Sequence, residues 1–306
     1  MTDTLTETAL LQSWNPGPTR SALLTFLEAA RDLPPERRVA VLDNDGTLWC
    51  ERPRYIQLDF FLHELRRAQS ERPELAERAE YRALLHQDRA AITALGLSRI
   101  ALALAELFAG LTPEEYDTRA REFVTTQIQP ERNIPYTGMV YQPMLELLDA
   151  LRAHGFAAFI VTGGGTEFVR AISRQLYRVD PEGVVGTAVT YELQRRDGRP
   201  VLVRTTELDG DPNEGPAKIS NIQRHLGRRP IFAAGNSAGD RDMLEYVTAA
   251  EGPSLALLVD HDDAERDYAY ASKPASFTED EPIRQVARRL DWTVASIARD
   301  WTQVFR

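Results

Sequence analysis

The stretch VAVLDNDGTLWCERP, Val39 to Pro53, decides the fold. Val39 to Leu42 read as a short buried strand, and the apolar run stops at Asp43 and Asp45 with one residue between them. Two carboxylates facing one pocket repel each other, and a divalent cation between them relieves that repulsion. The end of this strand is therefore expected to carry chemistry.

Working outward, the chain has 306 residues, 43% of them hydrophobic, enough to bury a substantial core. A net charge of -10, with arginine pairs scattered among acids, argues against a surface that neutralises nucleic-acid phosphates. The single cysteine, Cys50, excludes an intrachain disulfide and reads as a small packing residue in a reducing compartment. The opening residues MTDTLTETALLQSW lack the basic start and long apolar run of a leader. No segment reaches the roughly 18 apolar residues of a membrane span. These features predict a cytoplasmic protein without nucleic-acid or membrane partners, and they leave the oligomeric state open.

Strands and helices alternate on either side of a helical block. A helix is expected over Ser21 to Leu33 before the strand RVAVLD, and residues 56 to about 128 have helical periodicity throughout. Beyond Pro130 follow a helix at Pro143–His154, the strand FAAFIVT ending at Thr162, and a helix at Glu167–Leu176. A hairpin comes next, with GVVGTAVTYEL and VLVRTTEL flanking QRRDGRP. A helix at Ala217–Leu226, the strand PIFAAG, a helix at Asp240–Val247, the strand SLALLVD and a closing helix near Ile283–Phe305 complete the chain. The pattern predicts an α/β fold: a Rossmann-like parallel sheet flanked by helices, with an inserted all-helical cap. The core is expected over residues 1–50 and 131–306 and the cap over 51–130.

Ligands of open parallel sheets bind beyond the carboxyl ends of the strands. Besides Asp43 and Asp45, the strand ends supply Thr162-Gly163-Gly164-Gly165 and Gly235-Asn236-Ser237-Ala238-Gly239-Asp240, and Lys218 opens the helix before the latter. Glycine amides at a helix start suit an anion, and Thr162 and Lys218 add a hydroxyl and a positive charge. Mg²⁺ favours one or two carboxylates together with substrate phosphate and water. Phosphate is the anion most consistent with the set.

Four segments in order, Asp43 to Thr47, Thr162, Lys218 and Gly235 to Asp240, resemble the motifs of haloacid dehalogenase superfamily phosphatases, near the phosphoserine phosphatase branch. The resemblance spans residues 38 to about 260, and the helical insertion resembles the family's mobile cap. It implies that Asp43 attacks phosphorus and that Asp45 serves as acid and then base. It implies that Thr162, Gly163, Gly164 and Lys218 hold the phosphoryl group. Mg²⁺ would rest on Asp43, the Asp45 carbonyl, and either Asn236 or Asp240. Asn236 departs from the pattern, because the family usually places a metal-binding aspartate there. The second aspartate, Asp45, favours phosphate-ester hydrolysis over dehalogenation, since an alkoxide needs a proton and a halide does not. The expected substrate is a small phosphate ester. Trp49, Glu51, Arg52 and Tyr55, near the cap hinge, are expected to face its leaving group, with Trp49, Tyr55 and Glu51 suited to an ammonium and Arg52 to a carboxylate or second phosphate.

Two rival readings remain. Gly235-Asn236-Ser237-Ala238-Gly239 satisfies the G-x-S-x-G elbow of serine hydrolases, with His261 the sole histidine downstream. His261-Asp262-Asp263 otherwise reads as a surface loop. The third reading is a non-catalytic phosphatase fold used for binding, with Asn236 as its first lost residue.

Overall fold

Four consecutive fully buried residues make Val39–Leu42 (β1) a central strand in the computed structural model, which describes residues 10–274 and 277–306. Helix α1 (Pro18–Ala29) precedes it. After it come α2 (Ile56–Glu71), α3 (Ala79–Leu85), α4 (Arg89–Leu95), α5 (Leu97–Leu107) and α6 (Pro113–Thr126). The short strands β2 (Ile128–Gln129) and β3 (Ile134–Pro135) lead to α7 (Gln142–Ala153), β4 (Ala157–Gly165), α8 (Thr166–Tyr177) and β5 (Val184–Thr187). A hairpin of β6 (Val189–Arg196) and β7 (Arg199–Leu208) precedes α9 (Pro216–Leu226), β8 (Phe232–Gly235) and α10 (Arg241–Thr248). The chain closes with β9 (Leu255–Asp260), α11 (Ile283–Arg289), β10 (Thr293–Ser296) and α12 (Ile297–Asp300).

Six strands form one sheet in the order β10-β9-β8-β1-β4-β5, and every neighbouring pair is parallel. Side chains alternate between its faces: Ala40 and Leu42 join one apolar cluster, Val41 the other. The first cluster takes in α1, α7 and α8 through Phe26, Leu147 and Phe168; the second takes in α9, α10 and α11 through Ile222, Leu244 and Val286. Both faces are thus covered, as a parallel sheet requires. The chain builds outward from β1 on one side and then returns to the other, so the reversal lies at β1, between β4 and β8. That is where open sheets of this kind leave a crevice.

The helical insertion has its own small core around Leu62, Leu65, Tyr81 and Leu104. It is also continuous with the main core: Phe60 stacks on Phe168 of α8 with centroids 5.4 Å apart, and Phe108, Tyr116 and Phe123 join the same cluster. Among the described residues, no single helix is long and apolar enough to cross a membrane.

Two edges of the sheet differ from expectation. Val184–Thr187 is not part of the hairpin but pairs with β4 as an edge strand. The hairpin turns at Asp197-Gly198, both with positive φ, and pairs Arg196 with Arg199. Its strand β7 reaches the insertion, where Arg204 exchanges backbone hydrogen bonds with Gly110 and Leu111. The closing helix expected over 283–305 also breaks. It ends at Arg289, Asp291 turns with φ 54°, and Thr293–Ser296 forms the opposite edge of the sheet. Edge strands are short and half-covered, so their apolar pattern is weak in sequence.

Candidate active site

Lys218 anchors the mouth of the sheet. Its Nζ donates to Asp43 Oδ1 at 2.7 Å, to Asp240 Oδ1 at 2.6 Å and to the Val161 carbonyl at 2.8 Å, and the side chain is almost wholly buried. Burial alone would lower its pKa, but the Asp240 and Asp43 carboxylates overcome this and hold it above the ordinary lysine value. Burial raises the Asp43 carboxyl well above the usual range, with Asp240 adding repulsion and Lys218 opposing both.

Asp240 is committed elsewhere. Its second oxygen, Oδ2, accepts from the backbone N–H groups of Asn236 and Ser237 at 2.9 and 3.1 Å, closing a capping box with Ser237 before α10. Both Asp240 oxygens therefore serve the fold, through Lys218 and through this cap. Ser237 Oγ accepts from Gly239 N at 3.1 Å. His261 has its Nε2 2.8 Å from the Gly46 carbonyl oxygen and its Nδ1 3.1 Å from Asp267 Oδ2, so neither nitrogen is turned to Ser237. The elbow is a helix cap, and the serine-hydrolase triad is not assembled.

Asp45 immediately precedes a turn that Gly46 makes with φ 79°. A Cβ there would collide with Asn236 Nδ2, so Asn236 packs directly on the Asp45–Gly46 backbone. The Trp49 indole donates to Asp45 Oδ1 at 2.8 Å, and Asn44 Nδ2 donates to Oδ2 at 3.3 Å. Burial nevertheless raises the Asp45 pKa, against these bonds, the Lys218 charge and the Thr162 hydroxyl. A carboxyl shifted in this direction keeps its proton to higher pH.

The glycine segment is less open than its sequence implies. Strand β4 continues through Gly165. The Gly164 N–H donates to Thr162 Oγ1 at 2.9 Å, and the Gly165 N–H donates to Oε1 of Gln57, on α2, at 2.9 Å. Asn213 pins the base of this segment, donating from Nδ2 to the Thr162 and Val185 carbonyls at 2.9 and 3.2 Å.

Among the described residues, no group of three or more His, Cys, Asp or Glu is arranged to hold a metal. A set of one carboxylate and two neutral oxygens, from Asp43, the Asp45 carbonyl and Asn236, fits Mg²⁺ all the same. Mg²⁺ needs few protein ligands and completes its shell with water and substrate phosphate.

Residues 40–245 match the sequence profile described as haloacid dehalogenase-like hydrolase. The chain belongs to that family. A search of curated proteins found no match. Among solved structures, a protein of unknown function from Bordetella pertussis Tohama I is 18% identical, with 84% of this chain and 97% of that chain covered and a TM-score of 0.52. A conserved, functionally unknown protein from Anaerococcus prevotii DSM 20548 is 14% identical, with 86% and 96% covered and the same TM-score of 0.52. Both likenesses concern the fold.

Within this haloacid dehalogenase-like hydrolase, two of the residues expected at the substrate, Trp49 and Glu51, are buried, and a third, Arg52, is half-buried. Trp49 is fully buried, with its ring against Phe168 at 6.1 Å, and offers no face to a ligand; it supports Asp45 instead. Glu51 is buried and accepts from Asn236 Nδ2 at 3.2 Å. Burial pushes its pKa up to about 7, against hydrogen bonding from Tyr270 and the charge of His261. Arg52 lays its guanidinium on the Tyr270 ring, 4.1 Å from the centroid. Among the described residues, Trp49 and Glu51 are engaged with Asp45 and Asn236 rather than lining the small ammonium pocket expected of them.

Gln57, Asn213 and the His261–Asp267 pair carry no motif in the sequence, yet all three support the site. Asp267, buried, also accepts from Tyr141 Oη at 3.1 Å, so a polar network underlies the loop that carries Asp43 and Asp45. His261 is thus part of the site's foundation rather than of a surface loop. The only sequence signal for it was its place directly after a strand of the sheet.

Proposed function

We propose that the protein is a Mg²⁺-dependent phosphatase that hydrolyses a small phosphate monoester through an aspartyl-phosphate on Asp43. The observation that carries this reading is the Asp43–Lys218 contact at the end of β1: a nucleophilic carboxylate with one oxygen held by a buried ammonium, beside a second carboxyl inclined to keep its proton.

In the first step an Asp43 oxygen attacks phosphorus and the bond to the ester oxygen breaks. The leaving oxygen takes the bond's electron pair and a proton from Asp45. In the second step a water attacks the acyl-phosphate phosphorus, gives its proton to Asp45, and returns Asp43 as a carboxylate. Lys218 and Thr162 stabilise the charge on the phosphoryl oxygens. Mg²⁺, held by Asp43, the Asp45 carbonyl and Asn236 rather than Asp240, would offset the charge of the incoming phosphate. The insertion, residues 51–130, acts as a cap that reaches the glycine segment through Gln57.

The test is phosphate release from a panel of phosphorylated metabolites, with Mg²⁺ or EDTA. Turnover should depend on Mg²⁺ and fall by several orders of magnitude in Asp43→Asn, and beryllofluoride should bind the wild type as an acyl-phosphate mimic. Full turnover in Asp43→Asn, or turnover indifferent to EDTA, would overturn the reading.

A further inference from the structure

Position 236 carries an amide, and an acid lies beside it. Asn236 Nδ2 donates to Glu51 Oε1 at 3.2 Å and to Ser272 Oγ at 3.0 Å, and Ser272 Oγ in turn donates to the same Glu51 oxygen at 3.5 Å. Glu51 and Asn236 are both buried. The two ends of a side-chain amide are nearly alike in shape and opposite in chemistry, so its partners decide which end faces a neighbouring site. An ionised carboxylate can only accept a hydrogen bond. It therefore retains the NH₂ end and directs Oδ1 away from itself. The side chain has little room to escape, because the Gly46 backbone lies directly against the same nitrogen.

We propose that Glu51 is a positioning residue: through the Asn236 amide it turns Oδ1, and not Nδ2, toward the cation, so that an asparagine can stand as a metal ligand. This rests on the metal-dependent reading above. An amide presented by its NH₂ end would repel a cation, so orientation decides whether position 236 contributes at all. A carboxylate at that position has two equivalent oxygens and needs no such orientation.

The distinction sets the experiment, a Mn²⁺ titration of the resting enzyme at pH 8, followed by calorimetry and by the loss of the free-ion EPR signal. Glu51→Gln should weaken Mn²⁺ binding about 10- to 100-fold, the usual effect of losing an outer partner of a metal ligand. In the Asn236→Asp background the same Glu51→Gln change should leave affinity within about 2-fold, giving a large coupling in the double-mutant cycle. Equal losses in both backgrounds would show that Glu51 acts only as a nearby charge and would overturn the inference. An unaffected Glu51→Gln protein would do the same while leaving the metal-dependent reading intact. A wild type that binds no Mn²⁺ would overturn both. Should Glu51→Gln fail to fold, Ser272→Ala removes the other acceptor of the amide and should weaken binding about 2- to 10-fold, the range for one neutral hydrogen bond; unchanged binding there would count against the inference.

Discussion

The Trp49 indole N–H and Asp45 Oδ1 form a 2.8 Å hydrogen bond four residues apart, so the loop that delivers Asp45 also carries its own support. Trp49→Phe keeps most of the buried ring and removes only the donor. The rate of the phosphorylation step should fall about 10-fold for an alkyl phosphate and less for p-nitrophenyl phosphate, whose leaving group needs little protonation. Single-turnover measurements with both esters check this, and equal losses would count against Asp45 as the acid.

Lys218 separates two buried carboxylates. Lys218→Met should destabilise the metal-free protein by about 3–5 kcal/mol, the usual result of stripping the partner from a buried charge. Without the ammonium nothing offsets the burial that already raises Asp43, so that carboxyl binds a proton more readily folded than unfolded and the folded state gains stability as pH falls. Urea midpoints at pH 5 and pH 8 should therefore show a smaller deficit at pH 5.

Gly46 combines positive φ with close contact to Asn236 and Glu51. Gly46→Ala should lower stability by about 1–3 kcal/mol through backbone strain, and by more where Asn236 is forced aside. Thermal denaturation measures the first effect and Mn²⁺ titration the second.

Gln57 occupies the Gly165 N–H. Gln57→Ala should free that donor and strengthen competitive inhibition by inorganic phosphate about 2- to 10-fold, one hydrogen bond's worth. Weaker inhibition would instead mark Gln57 as a direct contact of the phosphate.

Ser237 caps the turn before α10. Ser237→Ala should lower stability by about 0.5–2 kcal/mol while phosphate release continues, as checked by urea denaturation beside a turnover assay.

The strand ends were legible because their chemistry and their burial sit in adjacent residues. Val39–Leu42 is apolar throughout since both faces of a central parallel strand are covered, and Asp43, Thr162 and Asn236 stand where that covering stops. The edge strands Val184–Thr187 and Thr293–Ser296 were not legible. One merges in sequence with a hairpin, and the other interrupts what reads as a single amphipathic helix.

By itself, the sequence determined the alternating α/β order, the helical insertion and the set of polar groups at one end of the sheet, because burial and strand periodicity are local properties of the chain. Tertiary structure alone decided where those groups point. Trp49 turned to Asp45, Glu51 to Asn236, Gln57 to Gly165 and His261 to Gly46 through bonds spanning as few as four residues and as many as 215. A buried polar side chain faces whichever partner satisfies it, and for three of these four that partner is distant in sequence and met only once the sheet has closed.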